Sequence, residues 1–381
     1  MIEQPQQQQK WHEDSILFKS GIIALIILAL LIPSSWIQSL ITDREGYQQM
    51  QLDGVTNNWS GPQLIQGPVL MLPYKKLLTE TGTDGKAVTR EVAKVLYVLP
   101  QKLKMKAGVK TELFTSGIYD AIVYNSGILV EGNFNQPDLN ELGIDPNLIL
   151  YDKAKLVFSI SDLKGLKNNP AVTIDAQTYT PEPATDGNIP FNTGLEVNFP
   201  LQKDKGFTFS YLLDLKGSNE LNFLHTGKIT DVQVNSDWKN PGFNGRYLPD
   251  SRTTTDKGFG AKWHMLYYNR PFPQQWADDK TVLTNFNKSK QATIGVKLHL
   301  PIDQYRKILR TAKYSSLIII LTFISLFLTE LIKKQKIHLF NYALIGAAMV
   351  VYYTLLLSFS EQLGYNWAYL IASVSTILLI S

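Results

Sequence analysis

Arg246, Arg252 and Arg270 are three of only seven arginines in the chain, and Asp250, Asp256 and Trp263 lie among them. A guanidinium is a planar fork of donors that suits a carboxylate or a phosphate, so Arg246, Arg252, Trp263 and Arg270 are the candidate binding residues. The plainer expectation is that these arginines pair with Asp250 and Asp256 to hold a loop that lacks regular backbone partners. A second basic group, Arg306, Arg310 and Lys313, recurs at i, i+4 and i+7 of YRKILRTAK, with Tyr305, Ile308, Leu309 and Ala312 between them. That spacing predicts an amphipathic helix whose basic face meets anionic phospholipid headgroups or is simply solvated. Glu330 and Glu361 stand at the ends of apolar runs, where an ionisable group is a functional candidate by default. Lys333 and Lys334 are the expected partners of Glu330 on its own helix. Glu361 is expected to reach interfacial water.

Signatures of known chemistry are missing. The chain has no G-x-S-x-G, Walker A loop, H-E-x-x-H or EF-hand loop. Its five histidines, at 12, 225, 264, 299 and 338, are never closer than 35 positions, which gives no support to a histidine metal cluster. The absence of Cys excludes disulfides, thiolate zinc sites, iron–sulfur clusters and thiol catalysis. No cofactor is expected. Lys plus Arg number 37 against 33 Asp plus Glu, a net charge of +4, and that near balance argues against a nucleic-acid partner.

The elements that carry these residues divide by charge. No ionisable residue falls between Lys19 and Asp43, and residues 21–41 (GIIALIILALLIPSSWIQSLI) are long enough to span a bilayer as an uncleaved anchor. Pro33 is expected to kink or loosen this helix. Further apolar runs cover 314–332, 339–360 and 363–381, three more expected spans, the last of which ends with the sequence and suggests a chain truncated there. Residues 1–20 are an expected cytoplasmic tail, polar and low in complexity at its start. Residues 42–313 form the large domain. There the dominant period is two, at Val69 and Met71, at Val95, Tyr97 and Leu99, and over 118–130, 156–160, 207–215 and 294–300. Residues 83–86 and 125–127 read as hairpin turns, 181–194 as a Pro-rich loop, and 238–263 as a long irregular segment. The fold class expected is a mixed membrane protein: an N-terminal transmembrane anchor helix, a large mostly antiparallel β domain (sandwich or distorted barrel), and a C-terminal transmembrane helix bundle.

Orientation rests on a close count. Lys10, Lys19, Lys333, Lys334 and Lys336 flank the spans on one side, and Arg44, Arg306, Lys307, Arg310 and Lys313 flank them on the other. The short loop holding Lys333, Lys334 and Lys336 is where the positive-inside rule is strongest, which puts the large domain outside the cytoplasm.

Five blocks in order carry a resemblance: SGPQLIQGPVLMLPY (60–74), SGIYDAIVYNSGILVEGNF (116–134), GRYLPDSRTTTDKGFGAKWHMLYYNRPFPQQW (245–276), KYSSLIIILTFISLFLTE (313–330) and LLLSFSEQLGYNWAYLIA (355–372). Together they resemble the bacterial inner-membrane family CreD, the cell envelope integrity proteins. The resemblance implies one anchor, a large periplasmic domain, a C-terminal bundle continuing beyond this chain, and no catalytic residues. It implies a role in envelope integrity or an envelope stress response. The leading expectation is therefore a non-enzymatic protein of the bacterial inner membrane whose periplasmic domain binds an envelope component or a periplasmic or membrane protein partner. A transporter or channel subunit is the alternative, and a membrane-bound enzyme acting on lipid or cell wall is the third reading.

Overall fold

The computed structural model describes residues 16–81, 87–117, 119–184, 187, 189–300, 304–334 and 336–381. The N-terminal tail with Lys10 and His12, the turn expected at 83–86, residue 118, and part of the 181–194 loop lie outside the described residues. The chain forms two compact units: a helical one (1–51, 117–119 and 302–381) and a β one (52–116 and 120–301). Residues 43–59 continue the first helix into the β unit, and 304–313 fold as a helix of their own.

In chain order the strands are β1 (Gln63–Thr81), β2 (Ala87–Val98), β3 (Lys102–Ser116), β4 (Tyr119–Phe134), β5 (Ala154–Ile160), β6 (Val172–Ile174), β7 (Gln177–Tyr179), β8 (Glu182–Pro183), β9 (Leu195–Phe199), β10 (Phe207–Ser218), β11 (Glu220–Leu224), β12 (Ile229–Ser236), β13 (Pro241–Gly245), β14 (Ser251–Thr255), β15 (Gly258–Leu266), β16 (Gln275–Ala277) and β17 (Thr293–Leu298). One sheet has nine strands, running β13-β17-β11-β1-β5-β9-β8, with β2 on β1 and β16 on β2. The other has eight, in the order β14-β15-β12-β3-β4-β10-β6-β7. Pairing is mostly antiparallel, as expected, with parallel contacts at β1/β11 and β12/β3.

Alternation explains the layers. Leu70, Leu72 and Tyr74 of β1 face a core shared with Leu103, Met105 and Ala107 of β3. Val69 and Met71 point the opposite way into a second core with Tyr97, Val157, Phe191, Phe272 and Trp276. The nine-stranded sheet is therefore covered on both faces, which is why its strands read as continuous apolar runs. By contrast, β3 alternates strictly between exposed and buried from Lys102 to Lys110, so the eight-stranded sheet keeps one face in solvent.

The segment 238–263 is not irregular. It contains β13, β14 and most of β15. All five residues of β14 are exposed, so this edge strand has no apolar period to read.

In the helical unit, α1 (Ile16–Trp59) runs through Pro33 without a break. After the short α2 (Phe286–Gln291) of the β unit come α3 (Gln304–Lys313), α4 (Ser315–Lys333), α5 (Leu339–Leu363) and α6 (Tyr365–Ile380). Antiparallel contacts line α1 up with α3 and α4: Ser34 is hydrogen-bonded to Ser315, and Gln38 Nε2 donates to Ala312 O at 3.4 Å. Both contacts lie just after Pro33 and tie that part of α1 to its neighbours. Among the described residues three apolar helices are long enough to cross a membrane: α1, the stretch Tyr305–Lys333 and α5. The fourth expected span begins as α6 after the Gly364 cap that ends α5.

Where α1 gives way to β1, the buried amide of Gln63 gathers the backbone. Its Nε2 donates to Ser60 Oγ (2.9 Å), Asp162 O (3.1 Å) and Lys216 O (3.1 Å), and its Oε1 accepts from Ser161 Oγ and Asp162 N. A Cβ at Gly165 would lie 2.3 Å from Lys216 O and 2.5 Å from Gln63 Nε2, whereas one at Gly108 meets nothing within 4 Å. Gly165→Ala should therefore cost about 2 kcal/mol through overpacking, read as a fall of at least about 4 °C in the unfolding midpoint of the detergent-solubilised chain. Gly108→Ala should leave the midpoint in place. Equal midpoints for the two variants would show that this junction does not bear on stability.

Candidate functional site

The four candidate binding residues do not converge. Trp263 is buried in the shared core, its Nε1 donating to Tyr247 O at 3.2 Å. Arg270 is also interior, 7% exposed, and its guanidinium donates to Phe272 O, Pro273 O and Gln274 Oε1. Gln274 in turn donates to Leu99 O and Pro100 O, so Arg270 organises the turn ahead of β16. Burial pulls its pKa down to about 10. Arg246 donates to Gln291 Oε1 at 2.9 Å, and Arg252 lies over the Phe243 ring at 5.9 Å. Among the described residues none of these arginines forms an ion pair with Asp250 or Asp256. The expected Arg–Asp pairing is replaced by strand hydrogen bonds, since β13, β14 and β15 supply the backbone partners that such pairs were expected to replace.

Beside Arg270 lies His225, fully buried, with neither ring nitrogen in a well-formed hydrogen bond. Burial first, and then the Arg270 charge, push its pKa down to about 4. The ring is therefore neutral and structural at physiological pH. Among the described residues no three His, Asp or Glu side chains gather closely enough to hold a metal.

Both membrane carboxylates have partners inside the helical unit. Glu330 pairs with Lys19 of α1 and accepts from Tyr342 Oη of α5 at 3.2 Å. Lys19 also donates to Ile337 O at 2.6 Å. Lys333 and Lys334 are thus not its partners: α1 brings a cation from 311 residues away, while Lys334 sits at the left-handed cap beyond α4. Glu361 accepts from Tyr305 Oη of α3 at 2.9 Å and so is held by protein rather than standing free in water. The face of α3 divides as expected, with Tyr305, Ile308 and Ala312 buried and Arg306, Arg310 and Lys313 exposed.

A group that the sequence reading passed over lies on the solvent face of the eight-stranded sheet. Lys102, Lys104, Lys106 and Lys110 of β3 all point outward, and Lys262 of β15 joins them across Gln233 and Lys106. A cleft of about 580 Å³ opens beside them, lined by Gly108, Lys110, Asn125, Gly127, Asn235 and Lys257 among others. A smaller hollow of about 210 Å³ is lined by Lys104, Lys106, Asp231, Lys262 and His264. The alternation K-L-K-M-K at 102–106 was the available signal.

Comparison with known proteins gives this architecture a family. Residues 15–381 match the family described as inner membrane protein CreD. The chain belongs to the CreD family. Inner membrane protein CreD of Escherichia coli is 30% identical over 353 residues, covering 91% of this chain and 76% of that one. This CreD-family chain, with its three spanning-length helices, is an inner-membrane protein. The crystal structure of Legionella pneumophila aminopeptidase A in complex with aspartic acid aligns at 8% identity over 48% of this chain and 21% of that one, with a TM-score of 0.20, a likeness that carries no argument.

Two predictions follow from the buried charges. Because the folded pKa of His225 lies below its ordinary value of 6.5, the unfolded chain takes the proton first on acidification. The contribution of His225 is complete above pH 6.5 and is lost between pH 6.5 and 4, by roughly 3 kcal/mol in all. Unfolding midpoints at pH 7.5 and 4.5 should show a smaller acid loss in His225→Leu than in the parent; identical acid losses would exclude this histidine as the source. In the helical unit, Lys19→Met and Glu330→Gln should each lower the midpoint by leaving a charge unpaired, and the double variant should cost less than their sum. Simple additivity would mean that the pair is not coupled.

Proposed function

We propose that this CreD-family protein is a non-enzymatic component of the inner membrane that supports envelope integrity or an envelope stress response, its β unit lying in the periplasm and binding an envelope component. The observation that carries this reading is the asymmetry of the sandwich. One sheet is covered on both faces, while the other presents an open, lysine-lined face with a cleft. A fold of this size needs no such face for stability, since its cores are complete without it.

Two further features support the placement. Lys333 ends α4, and Lys334 and Lys336 occupy the short connection to α5, the kind of loop whose charge sets orientation. The exposed Arg306, Arg310 and Lys313 of α3 suit the headgroups of anionic phospholipid at the opposite surface. A transport pathway would want intramembrane polar groups open to a passing solute, whereas Glu330 and Glu361 are held by Lys19, Tyr342 and Tyr305.

The absence of cysteine makes the orientation directly testable. Lys164→Cys lies in the β unit and Lys334→Cys in the α4–α5 connection, and both positions are exposed. An impermeant maleimide added to intact cells should label the first variant and spare the second until the membrane is permeabilised. The reverse pattern would overturn the periplasmic assignment.

A further inference from the structure

We propose that the solvent face of the eight-stranded sheet binds an anionic glycan chain of the envelope, with the β3 lysines as its charge ladder. The proposal rests on the periplasmic reading above and names the ligand class and the residues.

The first observation is a row of lysines that form no ion pair. Lys102, Lys104, Lys106 and Lys110 share one face of a central strand, at steps of roughly 7 Å between alternate residues. That separation is inside the Debye length of about 8 Å at physiological ionic strength, so neighbouring ammonium groups repel one another. None of the four, nor Lys257 or Lys262, has an ion-pair partner among the described residues. Nearby carboxylates share this face, Asp231 directly across from Lys104, but other groups orient them. Asp231 is bonded to His264 Nδ1 at 2.7 Å, Asp237 accepts from Thr111 N and Oγ1, Asp250 accepts from His264 N, and Asp214 pairs with Lys167. Among the described residues no carboxylate stands within 4.0 Å of any of the six ammonium groups, so each lysine is open to an added anion. A linear polyanion placed along β3 would relieve the repulsion and gain from every rung of the ladder at once.

The second observation concerns the floor beside the ladder. Gly108 and Gly127 lie in neighbouring strands, and a Cβ at either would meet nothing within 4 Å. Side chains are withheld there, and the sheet surface opens into the cleft of about 580 Å³. Over this floor stand the amides of Asn125 and Asn235, which carry both donors and acceptors and make no side-chain hydrogen bond among the described residues. Carboxamides beside an open floor suit hydroxyl groups, and ammonium groups in a row suit repeated carboxylates or phosphates. The ligand with both is a charged sugar polymer. A lipid surface is flat on this scale and has no use for a recessed floor lined by amides.

The full chain in phosphatidylcholine nanodiscs should bind alginate oligosaccharides, a carboxylated glycan, and not uncharged dextran, with affinity falling as salt is raised. Lys104→Glu with Lys106→Glu should weaken binding by at least about tenfold. Lys203→Glu with Lys205→Glu makes the same change in net charge on other exposed lysines and should leave binding within about twofold. Should the first pair fail to fold, Lys104→Gln with Lys106→Gln carries the test, with a smaller loss expected. Absence of alginate binding, equal losses in both pairs, or binding of dextran as well would overturn the proposal. So would binding of soluble short-chain phosphatidylglycerol in place of alginate, which would mark a headgroup site. If maleimide labelling puts the β unit in the cytoplasm, the periplasmic reading itself fails. If labelling puts it outside and alginate does not bind, only this inference fails.

Discussion

A single buried amide is the constraint on which the β unit depends. Gln63 stands where the last turn of α1 becomes the first strand, and its five hydrogen bonds reach Ser60, the Ser161–Asp162 turn after β5, and Lys216 of β10. Those partners come from both sheets, so one side chain ties the start of the sandwich to each of its layers. Removing it would strand several backbone groups without water, the expensive case for a buried polar site. Asp162 reinforces the joint. Burial works to raise its carboxyl pKa, but hydrogen bonds from Gly61 N, Ser60 Oγ and Lys164 N outweigh that and hold it below the ordinary value.

From this joint the two sheets take different environments. The nine-stranded sheet is sealed on one side by its partner and on the other by residues around Phe191, Phe272 and Trp276. Arg270 belongs to that seal, fixing the turn before β16 through backbone carbonyls rather than offering its fork to a ligand. The eight-stranded sheet has no such cover over β3, whose lysines stay in solvent. The distribution of polar groups therefore separates structural from exposed cations without reference to their position in the sequence.

The sequence made some of this visible for physical reasons that particular residues illustrate. The gap between Lys19 and Asp43 reports a span because charge is costly in hydrocarbon, and the alternation at Val95, Tyr97 and Leu99 reports a strand because successive side chains face opposite layers. The β14 strand, SRTTT, stayed hidden because an edge strand exposed on both faces has no pattern to show. Lys19 and Glu330 meet only through tertiary packing, and no spacing rule reaches across 311 residues. Arg246, Arg252, Trp263 and Arg270 looked like one cluster because they are close in sequence. Strand alternation and the turn before β16 send Trp263 and Arg270 inward while Arg252 stays at the edge.

The pairing of Lys19 with Glu330 also bears on how the helices respond to an energised membrane. A lone charge at depth feels the transmembrane voltage, with work of about 2.3 kcal/mol per 100 mV for a full crossing. Two opposite charges in contact sit at the same depth, so the field does equal and opposite work on them. The ion pair that joins α1 to α4 therefore offers that voltage no net charge to act on.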